Sequence, residues 1–183
     1  MIVVVSGVAG SGKSTAGAAL AGRLHAEFAD GDALHPQANV AKMRAGVALT
    51  DADREPWLHA IGDWMDERIT AGRQGVITCS ALRRAYRDRL LGARPAARMV
   101  FLAVSRQVAA ARLAARPGHF FPERLLDSQF AALEPPGPDE RVLVVDADQP
   151  LAVLLTGIDA GLRPPGGRNV AGETRPARPE AAP

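Results

Sequence analysis

The stretch Gly7-Val8-Ala9-Gly10-Ser11-Gly12-Lys13-Ser14 decides the fold. It fits GxxxxGK[ST], follows the apolar run Ile2–Ser6, and opens an Ala-rich stretch with helical character from Lys13 to His25. A buried strand, a glycine turn and a helix in that order give the motif its mechanism. Glycines let successive backbone N–H groups turn inward around phosphate oxygens without Cβ clashes, and the helix N-terminus adds the positive end of its dipole. Lys13 is then placed to reach β- and γ-phosphates, and the Ser14 hydroxyl to ligate Mg²⁺. The expectation is a nucleoside triphosphate, ATP, held along Gly7, Val8, Ala9, Gly10, Ser11, Gly12, Lys13, Ser14 and Thr15.

Outward from this loop, short apolar runs alternate with helix-length amphipathic stretches. A short strand ends near Asp30, and a helix begins at Pro36. Another helix covers about Asp53–Arg73, and Gly75–Cys79 reads as a strand. A helix from about Arg84, a strand Arg98–Val104 and a helix Gln107–Arg116 follow. The C-terminal part reads as helix Pro122–Leu133, strand Arg141–Val145 and helix Pro150–Ala160. Strands alternating with helices predict an α/β architecture with a parallel sheet. The pattern divides the chain into a domain over 1–162 and a Pro-, Gly- and Arg-rich tail over 163–183 without apolar periodicity, expected to be disordered.

Composition narrows the function classes. The 183 residues are 47% apolar and 23% charged, the ordinary usage of a globular chain, and only 4% aromatic, so Ala, Val and Leu must build the core. The longest apolar runs have strand length, short of the roughly 20 residues of a membrane span. The N-terminus lacks a basic region followed by an apolar helix, so a cytoplasmic location is expected. The single cysteine, Cys79, excludes an internal disulfide, and with no His and Asp arranged around it reads as a small buried hydrophobe. The net charge of +2 resides in the tail, where Arg163, Arg168, Arg175 and Arg178 oppose Glu173 and Glu180. Residues 1–162 are therefore formally neutral, which argues against a nucleic-acid partner. Nearly all the cations are Arg; Lys13 and Lys42 are the only lysines, and both fall in candidate site segments.

Asp30-Gly31-Asp32 closes the second strand. Read as extended chain, it points both carboxylates the same way at the strand's C-terminal end, where open α/β sheets bind ligands. One carboxylate would orient and deprotonate an alcohol while the other supports Mg²⁺; the plainer reading is a turn cap. In the next helix His35, Asn39 and Lys42 form one polar stripe suited to a polyhydroxylated anion, or simply a solvated face. Arg54 lies in a first helical turn, where a cation opposes the dipole, so it either binds a ligand or pairs with Asp51 or Asp53. Trp57, Ile61, Trp64 and Ile69 read as core. Arg83, after the third strand, is placed to hold a carboxylate bidentately; Arg84, Arg87 and Arg89 read as helix surface. No carboxylate ends that third strand. Arg112 and Arg116 sit one turn apart before Pro117-Gly118-His119-Phe120-Phe121-Pro122, a pattern that reads as a mobile lid able to bring arginine onto a transferring phosphoryl group.

Together the stretches GVAGSGKST, DGDALHPQANVAKM, DADREPWL, CSALRRAYRDRL, RPGHFFPERLLDSQFAALEPP and VLVVDAD resemble the gluconate kinase family of small P-loop kinases, over nearly all of Ile2–Asp148. Small departures keep the chemistry: Ala9, Arg83 and Phe121 stand where Ser, Lys and Met are common. The tail has no counterpart in the resemblance. The resemblance implies a P-loop fold with a five-stranded parallel sheet, helices on both faces and a mobile lid. It implies transfer of the ATP γ-phosphoryl to the 6-hydroxyl of D-gluconate with Mg²⁺, and often a homodimer. Lys13, Asp32 and Arg116 would be catalytic, and Ser14 and Asp30 would face the metal. Asp32, His35, Asn39, Lys42, Arg54, Arg83 and His119 would hold the sugar acid. Arg112 would contact the nucleotide, and the segment after Val145, around Asp146-Ala147-Asp148, with Asp146 as its marked residue, would border adenine. The alternative enzyme reading is a related kinase acting on shikimate or a nucleotide, against which the CSALRR stretch stands where shikimate kinases have a Gly-rich turn.

Overall fold

The structure, a computed structural model, describes residues 1–115 and 123–163. Five strands, β1 (Ile2–Ser6), β2 (Glu27–Asp30), β3 (Gly75–Cys79), β4 (Ala97–Ala103) and β5 (Val142–Asp146), form one parallel sheet in the order β2-β3-β1-β4-β5. β1 is central and buried at every position, which is why its sequence runs continuously apolar rather than alternating. The order reverses on either side of β1, so the crevice at its carboxyl end is the place where such sheets receive ligands.

Helices α1 (Lys13–Leu24), α2 (Gln37–Arg44), α3 (Asp51–Thr70), α4 (Arg84–Leu91), α5 (Arg106–Ala114), α6 (Glu123–Ala132) and α7 (Leu151–Leu162) complete the described chain. On one sheet face Ile2 and Val4 pack with Trp57, Ile61 and Met65 of α3 and Leu90 of α4. On the other Val3 and Val5 pack with Ala16 and Leu20 of α1 and Leu154 and Ile158 of α7. A small third cluster joins Ala109 and Leu113 of α5 to Leu126 of α6, with Ala9 against it. No helix among the described residues is long and apolar enough to cross a membrane.

The expected elements all occur, with boundary shifts that have local causes. Helix α3 begins at Asp51 rather than Asp53, because the Thr50 hydroxyl accepts from Asp53 N and the Asp53 carboxylate accepts from Thr50 N, a capping box that fixes the start. The helix ends earlier, at Thr70, before the turn at Gly72. The larger correction concerns Asp30-Gly31-Asp32. The extended strand stops at Asp30, and Gly31–Leu34 is a single turn of 3-10 helix. Asp30 Oδ1 accepts from Asp32 N at 3.1 Å, so the side chain caps the turn and the two carboxylates do not share a strand face. Gly31 is pressed so tightly on Thr78 O that a Cβ there would collide with it. The predicted lid, 117–122, and the tail beyond Arg163 lie outside the described residues.

Candidate functional site

The loop after β1 has the shape its glycines allow. Gly12 adopts φ 91° at the entry to α1, a conformation that disfavours any side chain, and no acidic residue occupies the first turn to compete for the helix N-terminus. Ser11 N donates to Val8 O at 3.2 Å, and Lys13 Nζ donates to the same carbonyl at 2.8 Å, folding the ammonium over the loop. Ser11 Oγ is buried and finds no hydrogen-bond partner among the described residues. At the crest, Ala9 N donates to Gln129 Oε1 of α6 at 2.7 Å. Nothing in the local pattern marks Gln129, because the contact spans 120 residues.

Ser14 Oγ donates to Asp30 Oδ2 at 3.1 Å, which joins the start of α1 to the end of β2. Thr78 Oγ1 donates to Asp30 Oδ1 at 2.8 Å and accepts from Gly31 N at 3.1 Å. Asp30 is thus both the turn cap and a carboxylate bonded to the phosphate loop. A hydroxyl and a carboxylate oxygen this close are hard oxygen donors, the set Mg²⁺ accepts while keeping several waters and phosphate ligands. No cluster of three or more His, Cys, Asp or Glu suited to a metal occurs among the described residues. Such a cage is not required for a cation shared with phosphates. Asp32 is exposed, two residues beyond Asp30. The Cys79 thiol, buried at the end of β3, lies within electrostatic reach of both the Asp32 carboxylate and the Lys13 ammonium. Burial itself pushes that thiol up to about 12, as expected of an inert cysteine.

Beside the loop a cavity of about 260 Å³ is lined by Gly12, Thr15, Arg112, Ala147, Gln149 and Leu154, among others. Arg112 forms one wall: Nη2 donates to Ala147 O at 2.8 Å and Nη1 to Ser11 O at 3.5 Å, tying α5 to both the phosphate loop and the loop after β5. Of the segment expected to border adenine, Ala147 lines this cavity and Asp146 does not. Its carboxylate accepts from Asp148 N at 2.9 Å and Gln149 Nε2 at 3.0 Å, which hold it below the ordinary carboxylate range. It shapes the loop, while Ala147 and Gln149 supply the cavity wall.

The other side of the cleft is built from side chains. The His35 ring stacks on Trp57 with centroids 4.3 Å apart and planes 12° from parallel. Trp57 is fully buried, as read from the sequence, and its Nε1 also donates to Gly31 O at 2.7 Å, so one core residue sets both His35 and the turn carrying Asp32. Burial lowers the imidazole's pKa, with the Asp32 carboxylate acting against it and Arg54 with it. Asn39 departs from the expected stripe. It is 3% exposed, donates to Asp53 O at 2.6 Å, and lies 3.4 Å from His35 Nδ1, which accepts in the neutral tautomer that carries its proton on Nε2. It fastens α2 to α3 and steers His35 from within.

Each cation here meets an internal acceptor. Lys42 Nζ donates to Asp53 Oδ1 at 2.6 Å, and this pairing with the Thr50 cap draws the Asp53 carboxyl down to about 2. Arg54 Nη1 donates to Leu49 O at 2.6 Å, lies 3.8 Å from Asp51 Oδ1, and its guanidinium sits 5.8 Å from the Tyr86 ring centre. Arg83 Nη1 donates to Asp51 Oδ2 at 2.7 Å, and Tyr86 Oη donates to Asp51 Oδ1 at 2.5 Å. The structure therefore brings Asp32, His35, Arg54 and Arg83 into one electrostatic neighbourhood, with Asp51 and Tyr86 as members the sequence had not marked for the site. Arg116 and His119 lie outside the described residues.

Arg87 is another correction. Read as helix surface, it is 1% exposed and paired through Nε and Nη2 with both oxygens of Glu140, at 2.6 and 2.9 Å. Nη1 donates to Leu82 O and Glu134 O. The pair clamps the segment after α6 onto the loop that carries Arg83. Arg84 does behave as a surface residue, turned to Asp139.

With this geometry in view, known proteins place the chain. The AAA-domain family profile matches residues 2–136. The gluconokinase of Gluconobacter oxydans is 49% identical over 84% of this chain and 86% of its own. The chain belongs to the gluconokinase family. A crystal structure of a gluconokinase from Sinorhizobium meliloti superposes with a TM-score of 0.78 at 46% identity, covering 87% of this chain and 90% of that one. The shikimate kinase of Aquifex aeolicus, at 20% identity and a TM-score of 0.53 over 88% of this chain and 96% of that one, shares the fold. These similarities agree with the P-loop kinase architecture and with an enzyme of the gluconokinase kind.

Proposed function

We propose that the chain transfers the γ-phosphoryl group of ATP to the 6-hydroxyl of D-gluconate, giving 6-phospho-D-gluconate, with Mg²⁺, as a cytoplasmic enzyme that forms a homodimer. The observation that carries this reading is the Ser14–Asp30 hydrogen bond. It joins the phosphate loop to the turn bearing Asp32, with the Arg54 and Arg83 cluster beyond it.

In phosphoryl transfer the protein does little covalent work, so positioning and charge neutralisation dominate. The amides of Gly7 through Thr15 cradle the phosphates, and Lys13 swings from Val8 O to the β- and γ-phosphates. Ser14 and Asp30 face Mg²⁺, which when bound neutralises phosphate charge. Asp32 accepts the proton of the attacking hydroxyl or aims it. Arg83 and Arg54 hold the acid's carboxylate, while His35 and Lys42 hold hydroxyls. Asn39 keeps His35 in place from behind. Arg112 borders the nucleotide, with Asp146 shaping that wall through Gln149. Arg116 and His119 belong to this reading as the lid's contribution to the migrating phosphoryl and the acid.

The test is a coupled ADP-release assay across D-gluconate, shikimate and nucleoside monophosphates. Turnover with gluconate and background rates with the others is the expected result. Activity confined to another acceptor overturns the reading.

A further inference from the structure

The acid end holds three cations, Lys42, Arg54 and Arg83, and each stands beside a carboxylate of α3. Asp53 takes Lys42, while Asp51 takes Arg83 at 2.7 Å and lies 3.8 Å from Arg54. Nearby arginines are engaged elsewhere, Arg84 with Asp139 and Arg89 with Glu55. Burial disfavours a charge on His35. Around Asp51 itself the two positive charges of Arg54 and Arg83 face one negative charge and leave a formal +1, which matches a ligand head group with a single negative charge.

Asp51 is placed for this purpose. Its carboxylate is pinned from both sides, Oδ1 by the Tyr86 hydroxyl and Oδ2 by Arg83, so it is a fixed charge rather than a swinging one. It is 60% exposed, so it bears little desolvation cost and is no part of a buried network. Among the described residues Asp51 is the one acceptor bonded to the Arg83 side chain, which leaves further guanidinium donors for a ligand.

We propose that Asp51 is a specificity-determining residue. Its charge trims the field of Arg54 and Arg83 so that the acid end accepts a monoanionic carboxylate and disfavours a dianionic head group such as a phosphate monoester. This rests on the reading that the acid end binds the carboxylate of the substrate.

The experiment uses the full chain and compares the KM for D-gluconate with the competitive Ki of a hexitol phosphate, an open-chain polyol whose head group is dianionic at pH 7.5. Asp51→Asn removes the charge and keeps one oxygen for Arg83, with the amide N–H turned to the Tyr86 hydroxyl, which then accepts. It is expected to improve the Ki of the ester relative to the gluconate KM by about fivefold, as one added charge at contact distance in a hydrated site provides. The gain shrinks in high salt. Asp51→Glu keeps the wild-type ratio. Asp63→Asn removes the same charge on an exposed carboxylate about 18 Å further along α3 and leaves the ratio unmoved. A merely structural role for Asp51 weakens both ligands alike and leaves the ratio unchanged. A ratio within twofold of wild type in Asp51→Asn, including no inhibition by the ester in either protein, overturns the proposal, as does an equal shift in Asp63→Asn. Wild-type chain that fails to phosphorylate gluconate removes the functional reading and this inference together. Wild-type turnover with an unmoved ratio removes this inference alone.

Discussion

The two halves of the cleft are made differently. The half proposed for the nucleotide is a contiguous run of backbone, residues 7–15, with cavity walls from Arg112, Ala147 and Gln149. The half proposed for the acid collects side chains from the 3-10 turn, α2, α3 and the loop before α4, and Lys42, Arg54 and Arg83 among them are pinned by partners elsewhere in the chain. Backbone amides recognise any polyphosphate, so that half needs only the right turn. Discriminating among polyols and acids needs specific groups at fixed distances, and fixing them takes a network. The lesson is that generic chemistry is local in the chain and selective chemistry is not.

The largest effect should come from the nucleotide half. Lys13→Ala is expected to lower kcat by about three orders of magnitude with every acceptor, since charge stabilisation at the moving phosphoryl is lost. A steady-state assay with gluconate measures it, and retention of a tenth of the activity would break the assignment of Lys13.

Asp32→Asn separates the halves next. Turnover should fall about 10²-fold or more, the range for loss of a general base, while ADP affinity measured by calorimetry stays within about twofold. Unchanged kcat with gluconate would remove Asp32 from its role.

A third variant addresses what braces the acid half. Glu140→Leu leaves Arg87 buried and unpaired, and breaking such a pair costs about 3–5 kcal/mol of stability. Urea unfolding should show that loss. Below the transition, the gluconate KM should rise more than the ATP KM, because Arg87 supports the loop bearing Arg83. Equal changes in both would show that the clamp serves the whole fold.

The smallest effect is electrostatic. The folded Asp53 carboxyl titrates near 2, below its ordinary 3.8, so its contribution is present above about pH 4 and is lost as pH falls toward 2. Wild-type thermal stability should therefore fall across that window more steeply than that of Asp53→Asn, which has no carboxyl to protonate. Parallel acid profiles would contradict the pairing with Lys42.

The same contrast governs how much the sequence revealed. The phosphate loop was legible because its residues are neighbours in the chain and the conformations they need are written as glycines. Asp30 was found by way of a strand alternation that the structure replaces with a capped turn. Its bonds to Ser14 and Thr78 come from α1 and β3, which local patterning does not connect. Arg87 looked like surface because Glu140 lies 53 residues away. Asn39 shared a helical stripe with His35 and Lys42, yet α3 packs against it and takes its amide inward. Thr78, Tyr86, Gln129 and Gln149 carried no marker at all, since a hydroxyl or amide becomes informative only beside its partner.

The order of strands and helices, the nucleotide loop and the neutral charge of residues 1–162 follow from the sequence alone. Periodicity, glycine placement and charge are properties of nearby residues and survive without a fold. Which carboxylate meets Ser14, which arginine is buried, and which cations keep a counter-ion were decided by the sheet order β2-β3-β1-β4-β5 and the helices packed on it. Those outcomes depend on distances between segments tens of residues apart, and only chain packing sets such distances.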